Sequence, residues 1–172
     1  MKKTIIDRLQ KLQQKMADKF PELNSGGCCV AAAHVAYQLK YRHNIPVRVR
    51  VENWYDDGPN NIDVVRTHLE NTAMATTRDW NSNGIRFAHV IAEFDYGDTT
   101  YHFDSNGLAT RQFVGDGDGR MEVSGISQNA LYEGALTVEE ALVLASKQDG
   151  WNPCFDRKDI PKLMNLISAQ LR

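Results

Sequence analysis

Cysteine is scarce in this chain: of 172 residues only three are cysteine, with Cys28 and Cys29 adjacent and Cys154 far away. That excludes a disulfide framework, and there is no C-x-x-C pair to grip a structural zinc. Long apolar runs are also missing. None approaches the roughly 18 residues that a membrane span requires, and the Met-Lys-Lys start leads into an amphipathic stretch instead of a signal-peptide core. The expectation is a cytoplasmic protein, or one delivered without an N-terminal signal peptide, with no membrane partner. A basic excess is lacking too: Lys plus Arg number 20 against 22 Asp plus Glu, a formal net charge of -2. A nucleic-acid partner, which asks for a strongly basic face, is therefore not expected. Repeats, low-complexity tracts and obvious linkers are absent. What remains is an ordinary globular composition, 42% hydrophobic and 24% charged, over a length suited to a single domain of residues 1–172.

Residues 1–23 read as an N-terminal helix. Ile5, Leu9, Leu12, Met16 and Phe20 recur at three- and four-residue steps, lysines fill other angles, and Pro21 ends the pattern. The lysine-rich side is taken as a solvated face and not as a membrane-surface helix. A Gly-Gly turn then precedes the cysteine pair and an alanine-rich run of strong helix propensity, with Asn44 as its stop before Ile45-Pro46. Val47 to Val51 alternates valine with arginine, as a half-buried strand must.

Residues 55–84 have turn clusters at both ends and a short helix expected over 62–69. They read as an inserted lid without a core of its own, walled by Trp54 and Trp80. Residues 87–96 and 99–104 are apolar-rich strands joined by the two-residue hairpin signal Gly97-Asp98. A further strand is expected over 111–114. Gly115-Asp116-Gly117-Asp118-Gly119 lacks the ligand spacing and closing glutamate of a calcium loop. Thr137 and Glu140 stand at capping-box spacing for a helix to Lys147, and Pro161 opens a last helix to Leu171.

Three residue types bring chemistry together. A cysteine at the start of a buried helix meets unpaired backbone N–H groups and the positive end of the helix dipole, which favour the thiolate. His89 and Asp104 sit inside apolar strand patterns, where a polar side chain is costly unless partnered. A hairpin would bring them together at its open end. Cys29, His89 and Asp104 then make a nucleophile, a proton carrier and an orienting carboxylate. Cys28 is the alternative nucleophile, because neighbouring helical side chains differ by about 100° and only one can face the histidine. His102 is placed on the far face and His34 as a helix-surface or satisfied core histidine; His43 and His68 have no assigned partner. A zinc site built from Cys29, His34, His89 and Asp104 lacks close paired ligands, so no metal is expected.

Gly27-Cys28-Cys29, the alanine-rich helix, Asn44-Ile45-Pro46-Val47-Arg48, the His89 strand and the strand ending in Asp104 resemble the transglutaminase-like branch of the papain-like cysteine hydrolases. That branch shows a G-x-C helix start, a G-I-P-A-R type turn, a strand beginning with histidine and a strand ending in aspartate. Cys29 to Asn44 and His89 to Asp104 each span 15 positions, as in that pattern. Residues 24–107, about half the chain, carry the resemblance; Asn44 stands for the customary glycine and Ile91 where an aromatic often follows the histidine. A weaker likeness, in Gly26-Gly27-Cys28-Cys29, is to the arylamine N-acetyltransferases, which are much longer. The first resemblance implies an α+β, papain-like core over 24–107 with 55–84 inserted. The Cys29 helix would pack on an antiparallel sheet, with a C-terminal strand and helices over 108–172. It also implies a cysteine-nucleophile enzyme acting on carboxamides of protein or peptide substrates, by hydrolysis, deamidation or transamidation, without a cofactor. Asn24 is its candidate oxyanion donor. The competing expectation is a papain-like scaffold that has lost catalysis and serves as a binding or structural protein.

Overall fold

The computed structural model describes residues 4–23, 27–53, 61–70, 89–110, 130–147 and 155–172. Among the described residues, five helices and a five-stranded sheet give a mixed α+β architecture. The first helix, α1 (Ile5–Lys19), begins in a reciprocal cap: Thr4 Oγ1 accepts from the Asp7 N–H while Asp7 accepts from the Thr4 N–H. Its apolar stripe, Ile5, Leu9, Leu12 and Met16, is buried. The central helix, α2 (Cys28–His43), differs in kind. Ten of its residues are buried, because the sheet lies on one side and later helices on the other. Small alanines allow that close double packing. Asn44 ends α2 at φ 52°, the left-handed conformation usually supplied by glycine and tolerated by asparagine.

Strand β1 (Val47–Asn53) follows, then α3 (Asp63–Glu70), β2 (His89–Tyr96), β3 (Thr99–Asp104), β4 (Gly107–Thr110), β5 (Ala130–Leu131), α4 (Val138–Ser146) and α5 (Ile160–Gln170), the last entered through a short 3-10 turn (Arg157–Asp159). The sheet runs in the order β4-β3-β2-β1-β5, with every neighbouring pair antiparallel. Tyr96 pairs with Thr99 across the Gly97-Asp98 turn, and β1 pairs with β2 from Val47 opposite Phe94 to Glu52 opposite His89. Val49, Val51, Val90, Ala92, Phe94 and Phe103 join α2 in one core, as the alternation in β1 predicts. Thr137 and Glu140 form the expected reciprocal cap on α4, and Pro161 sits in the first turn of α5.

The strand after Asp104 occupies 107–110, returning through a tight turn directly after β3; the strand expected over 111–114 lies outside the described residues. One expectation is corrected here. The segment 55–84 is not wholly a lid. Ile62, Val65 and Leu69 belong to the hydrophobic core, and Arg66 bonds Glu140, Asp63 and the Ala135 carbonyl, so α3 is bound to the α4 end of the molecule. Trp54, Trp80, the acidic glycine run at 115–119 and Cys154 lie outside the described residues. Among the described residues no helix is long and apolar enough to cross a membrane.

Candidate active site

Helix α2 starts at Cys28 with Gly27 as its cap, and Gly27 has no side chain to satisfy the first backbone N–H groups. Those donors have no intrahelical acceptor, so the start of α2 is electropositive. Adding a Cβ to Gly27 would bring it 2.4 Å from Leu23 Cδ1 and 2.9 Å from the Leu23 carbonyl oxygen. The turn before α2 is therefore packed so closely that only glycine fits.

His89 is the first residue of β2 and Asp104 the last of β3. Antiparallel pairing brings the ends together at the open end of the hairpin, as expected: His89 Nε2 lies 2.8 Å from Asp104 Oδ2. Asp104 is fully buried, and its other oxygen is held by the chain itself. Oδ1 accepts from the Asn106 N–H at 2.7 Å and the Gly107 N–H at 3.2 Å. The carboxylate is thus fixed in rotation, with one oxygen on the turn and the other on the imidazole.

Of the two cysteines, it is Cys28 whose side chain interacts with the His89 ring. With Nε2 on Asp104, the other ring nitrogen, Nδ1, is the one left for the thiol. The expectation that Cys29 faces the histidine is corrected. Adjacent residues of a helix point about 100° apart, and the phase of α2 turns Cys29 into the core, where it has no exposed surface. Burial, reinforced by the neighbouring Cys28, pushes the Cys29 thiol well above its ordinary pKa, so it stays protonated and packs as a small apolar side chain.

Burial of His89 opposes its protonation, but the bond to Asp104 and the contact with Cys28 outweigh that effect and hold its pKa well above the usual histidine value. The ring side chain is 16% exposed, so it is reachable from outside while its partners are buried. A buried thiol, an imidazole and a carboxylate in series can hold a proton between sulfur and nitrogen and keep the ring in one tautomer.

A second acid–histidine pair lies on the same sheet. His102 Nε2 is 2.7 Å from Glu93 Oε2, both side chains are buried, and Arg48 reaches Glu93 Oε1 at 2.8 Å. By strand alternation His102, paired opposite Glu93, lies on the other side of β3 from Phe103, which packs in the core with α2. The remaining histidines have backbone partners: His34 Nδ1 lies 2.8 Å from the Val30 carbonyl, His68 Nδ1 2.8 Å from that of Val64, and His43 Nε2 2.6 Å from that of Leu171. Among the described residues no three His, Cys, Asp or Glu side chains are grouped to hold a metal ion. Asn24 lies outside the described residues.

Pattern reading missed the backbone of Asn106 and Gly107 as the anchor of Asp104; an aspartate followed by Ser-Asn-Gly, a sequence suited to an Asx turn, is the signal that could have found it. No protein-family model, curated protein or solved structure gives a significant match to the chain.

Proposed function

We propose that this protein is a cysteine-nucleophile acyl-transfer enzyme with a papain-like (transglutaminase-like) core, acting on carboxamides of protein or peptide substrates. The observation that carries the reading is the continuous series Cys28, His89, Asp104, with the thiol at an uncapped helix start and the carboxylate fixed on both oxygens. Cys28 Sγ attacks the carbonyl carbon as its proton passes to His89. Backbone N–H groups at the start of α2 receive the negative charge that develops on the carbonyl oxygen. His89 passes the proton to the departing nitrogen as the C–N bond breaks, leaving a thioester on Cys28. Water or an amine then adds to the thioester, gives its proton to His89, and Cys28 leaves as thiolate. Asp104 keeps the ring oriented and stabilises its cationic form. Peptide or isopeptide hydrolysis, glutamine deamidation and transamidation share these steps and differ only in the leaving and accepting groups.

Iodoacetamide labelling near neutral pH, mapped by mass spectrometry, tests the reading. Cys28 should be alkylated fast, Cys29 slowly, and His89→Ala should remove the advantage of Cys28. If Cys28 reacts no faster than an ordinary thiol, the reading fails and the inactive scaffold replaces it.

A further inference from the structure

We propose that Gln13, on α1, is a positioning residue for Asp104: its carboxamide clamps the β3–β4 turn whose backbone holds the carboxylate. The inference rests on the triad reading above. Gln13 Nε2 donates to the Asn106 carbonyl at 3.2 Å, and the Leu108 N–H donates to Gln13 Oε1 at 3.3 Å. Both ends of one amide are therefore bonded to the chain on either side of Gly107. The N–H groups of Asn106 and Gly107, inside that clamp, are the two that bind Asp104 Oδ1.

Gly107 shows why the clamp has this shape. Its φ is +111°, and a Cβ built on it would fall 2.2 Å from Gln13 Cδ and 2.3 Å from Cγ. The space a side chain would take is filled by Gln13, in a backbone conformation that glycine alone adopts without strain. A glutamine side chain supplies a donor and an acceptor at one reach; glutamate keeps only the acceptor, and leucine keeps neither.

The clamp is delivered from a helix fixed by other contacts. Leu9, Leu12 and Met16 anchor α1 in the core, and Lys15 donates to Gln170 on α5 at 2.7 Å. His89 is met by Asp104 from β3 and Cys28 from α2, and Glu52 is its cross-strand partner on β1. Gln13 bonds to the turn and not to the ring, so its influence on the ring runs through Asp104. A helix outside the stretch that carries the cysteine, histidine and aspartate thus tunes how firmly the carboxylate holds the histidine.

The test compares the full-length wild type with Gln13→Leu, Gln13→Glu and, as a neighbouring surface control, Gln14→Leu. Two quantities are read in each: the titration midpoint of His89 from its ring ¹⁵N shifts, and the rate of Cys28 alkylation by iodoacetamide. Loosening the clamp weakens the Asp104 bond, so Gln13→Leu should lower the His89 midpoint by about half a pH unit. The same variant should slow alkylation at pH 7 about fivefold, the effect of about one hydrogen bond. Gln13→Glu should fall between, and Gln14→Leu should match wild type. A purely structural role would lower the melting temperature and leave the His89 midpoint where it was, which overturns the proposal. If wild-type Cys28 is sluggish, the triad reading has failed, while the His89 titration still decides whether the clamp exists. If Gln13→Leu does not fold, Gln13→Glu is decisive by the same two readings.

Discussion

Asp104 Oδ2 and His89 Nε2 stand 2.8 Å apart at the open end of a hairpin, and the opposite carboxylate oxygen accepts two backbone N–H groups. Rotation of the carboxylate would break at least one of these bonds, so the ring it faces is held in one tautomer, with hydrogen on Nε2 and Nδ1 toward Cys28. Asp104→Asn retains an oxygen for the turn but presents an N–H₂ group to the ring, which favours the other tautomer. The expected outcome is a folded protein whose turnover, or Cys28 alkylation rate, falls by about 10³-fold or more. An unchanged rate removes Asp104 from the mechanism.

Cys28 and Cys29 should separate cleanly. Cys28→Ala should abolish turnover, whereas Cys29→Ala should retain most activity and cost about 1 to 2 kcal/mol in urea unfolding, because a fully buried side chain leaves a small cavity. Loss of activity in Cys29→Ala without loss of stability would reverse the assignment.

How much of this site the sequence discloses depends on which residues are asked about. His89 and Asp104 are legible, since a two-residue turn at Gly97-Asp98 fixes the register of the hairpin and brings its far ends together. The same register places Glu93 opposite His102, so that buried pair was open to the same argument. The cysteine is harder. Intervals count positions, but facing depends on where the helix begins, and one residue of error turns a side chain by about 100°. Gln13 is beyond pattern reading altogether. It meets its turn across 93 positions, in a contact that exists only once α1 docks on β4. The short helix α3 misled for a related reason: turn clusters flank it, yet Val65 and Leu69 face the core.

Stability should carry the His89 signature in its pH dependence. The folded ring holds its proton more tightly than the unfolded one, so this contribution is complete below about pH 6.5 and is lost as pH rises through the elevated folded value. Urea unfolding of wild type and His89→Gln should therefore show the widest stability gap near about pH 6. The gap should narrow toward alkaline pH. A gap that stays constant across neutrality would mean that Asp104 and Cys28 confer no extra proton affinity on the ring.

The Glu93–His102 pair predicts the opposite slope. The bond from His102 lowers the Glu93 pKa; burial works against this and Arg48 and Arg50 add to it. A depressed carboxylate contributes stability above its unfolded pKa, about 4.5, and loses it as pH falls through the folded value. Glu93→Gln should flatten acid unfolding in that range. His102→Ala should cost about 3 kcal/mol at neutral pH, because it leaves Glu93 buried with only its arginines. A loss within about 0.5 kcal/mol, typical of a surface change, would mean the pair is not holding the sheet.

Gly27→Ala should injure the site more than the fold. The φ of Gly27 is −97°, which any residue adopts, so the requirement is space and not backbone freedom. The added methyl would meet Leu23 Cδ1 at 2.4 Å, the Leu23 carbonyl oxygen at 2.9 Å and Phe155 Cδ1 at 3.0 Å. A side chain could turn aside, but the carbonyl is backbone and already accepts the Gly27 N–H at 2.8 Å. The first turn of α2 must then move, and Cys28 is its first residue. Overpacking of this kind costs about 1 to 3 kcal/mol, while a shift of the nucleophile by about 1 Å can slow its reaction by about 100-fold. Ala36→Val is the matched control, because it overpacks the same buried helix about two turns further on. Both variants should lose stability in urea, and only Gly27→Ala should lose rapid alkylation of Cys28. Equal alkylation rates in the two would show that the start of α2 tolerates displacement and that Gly27 is kept for packing alone.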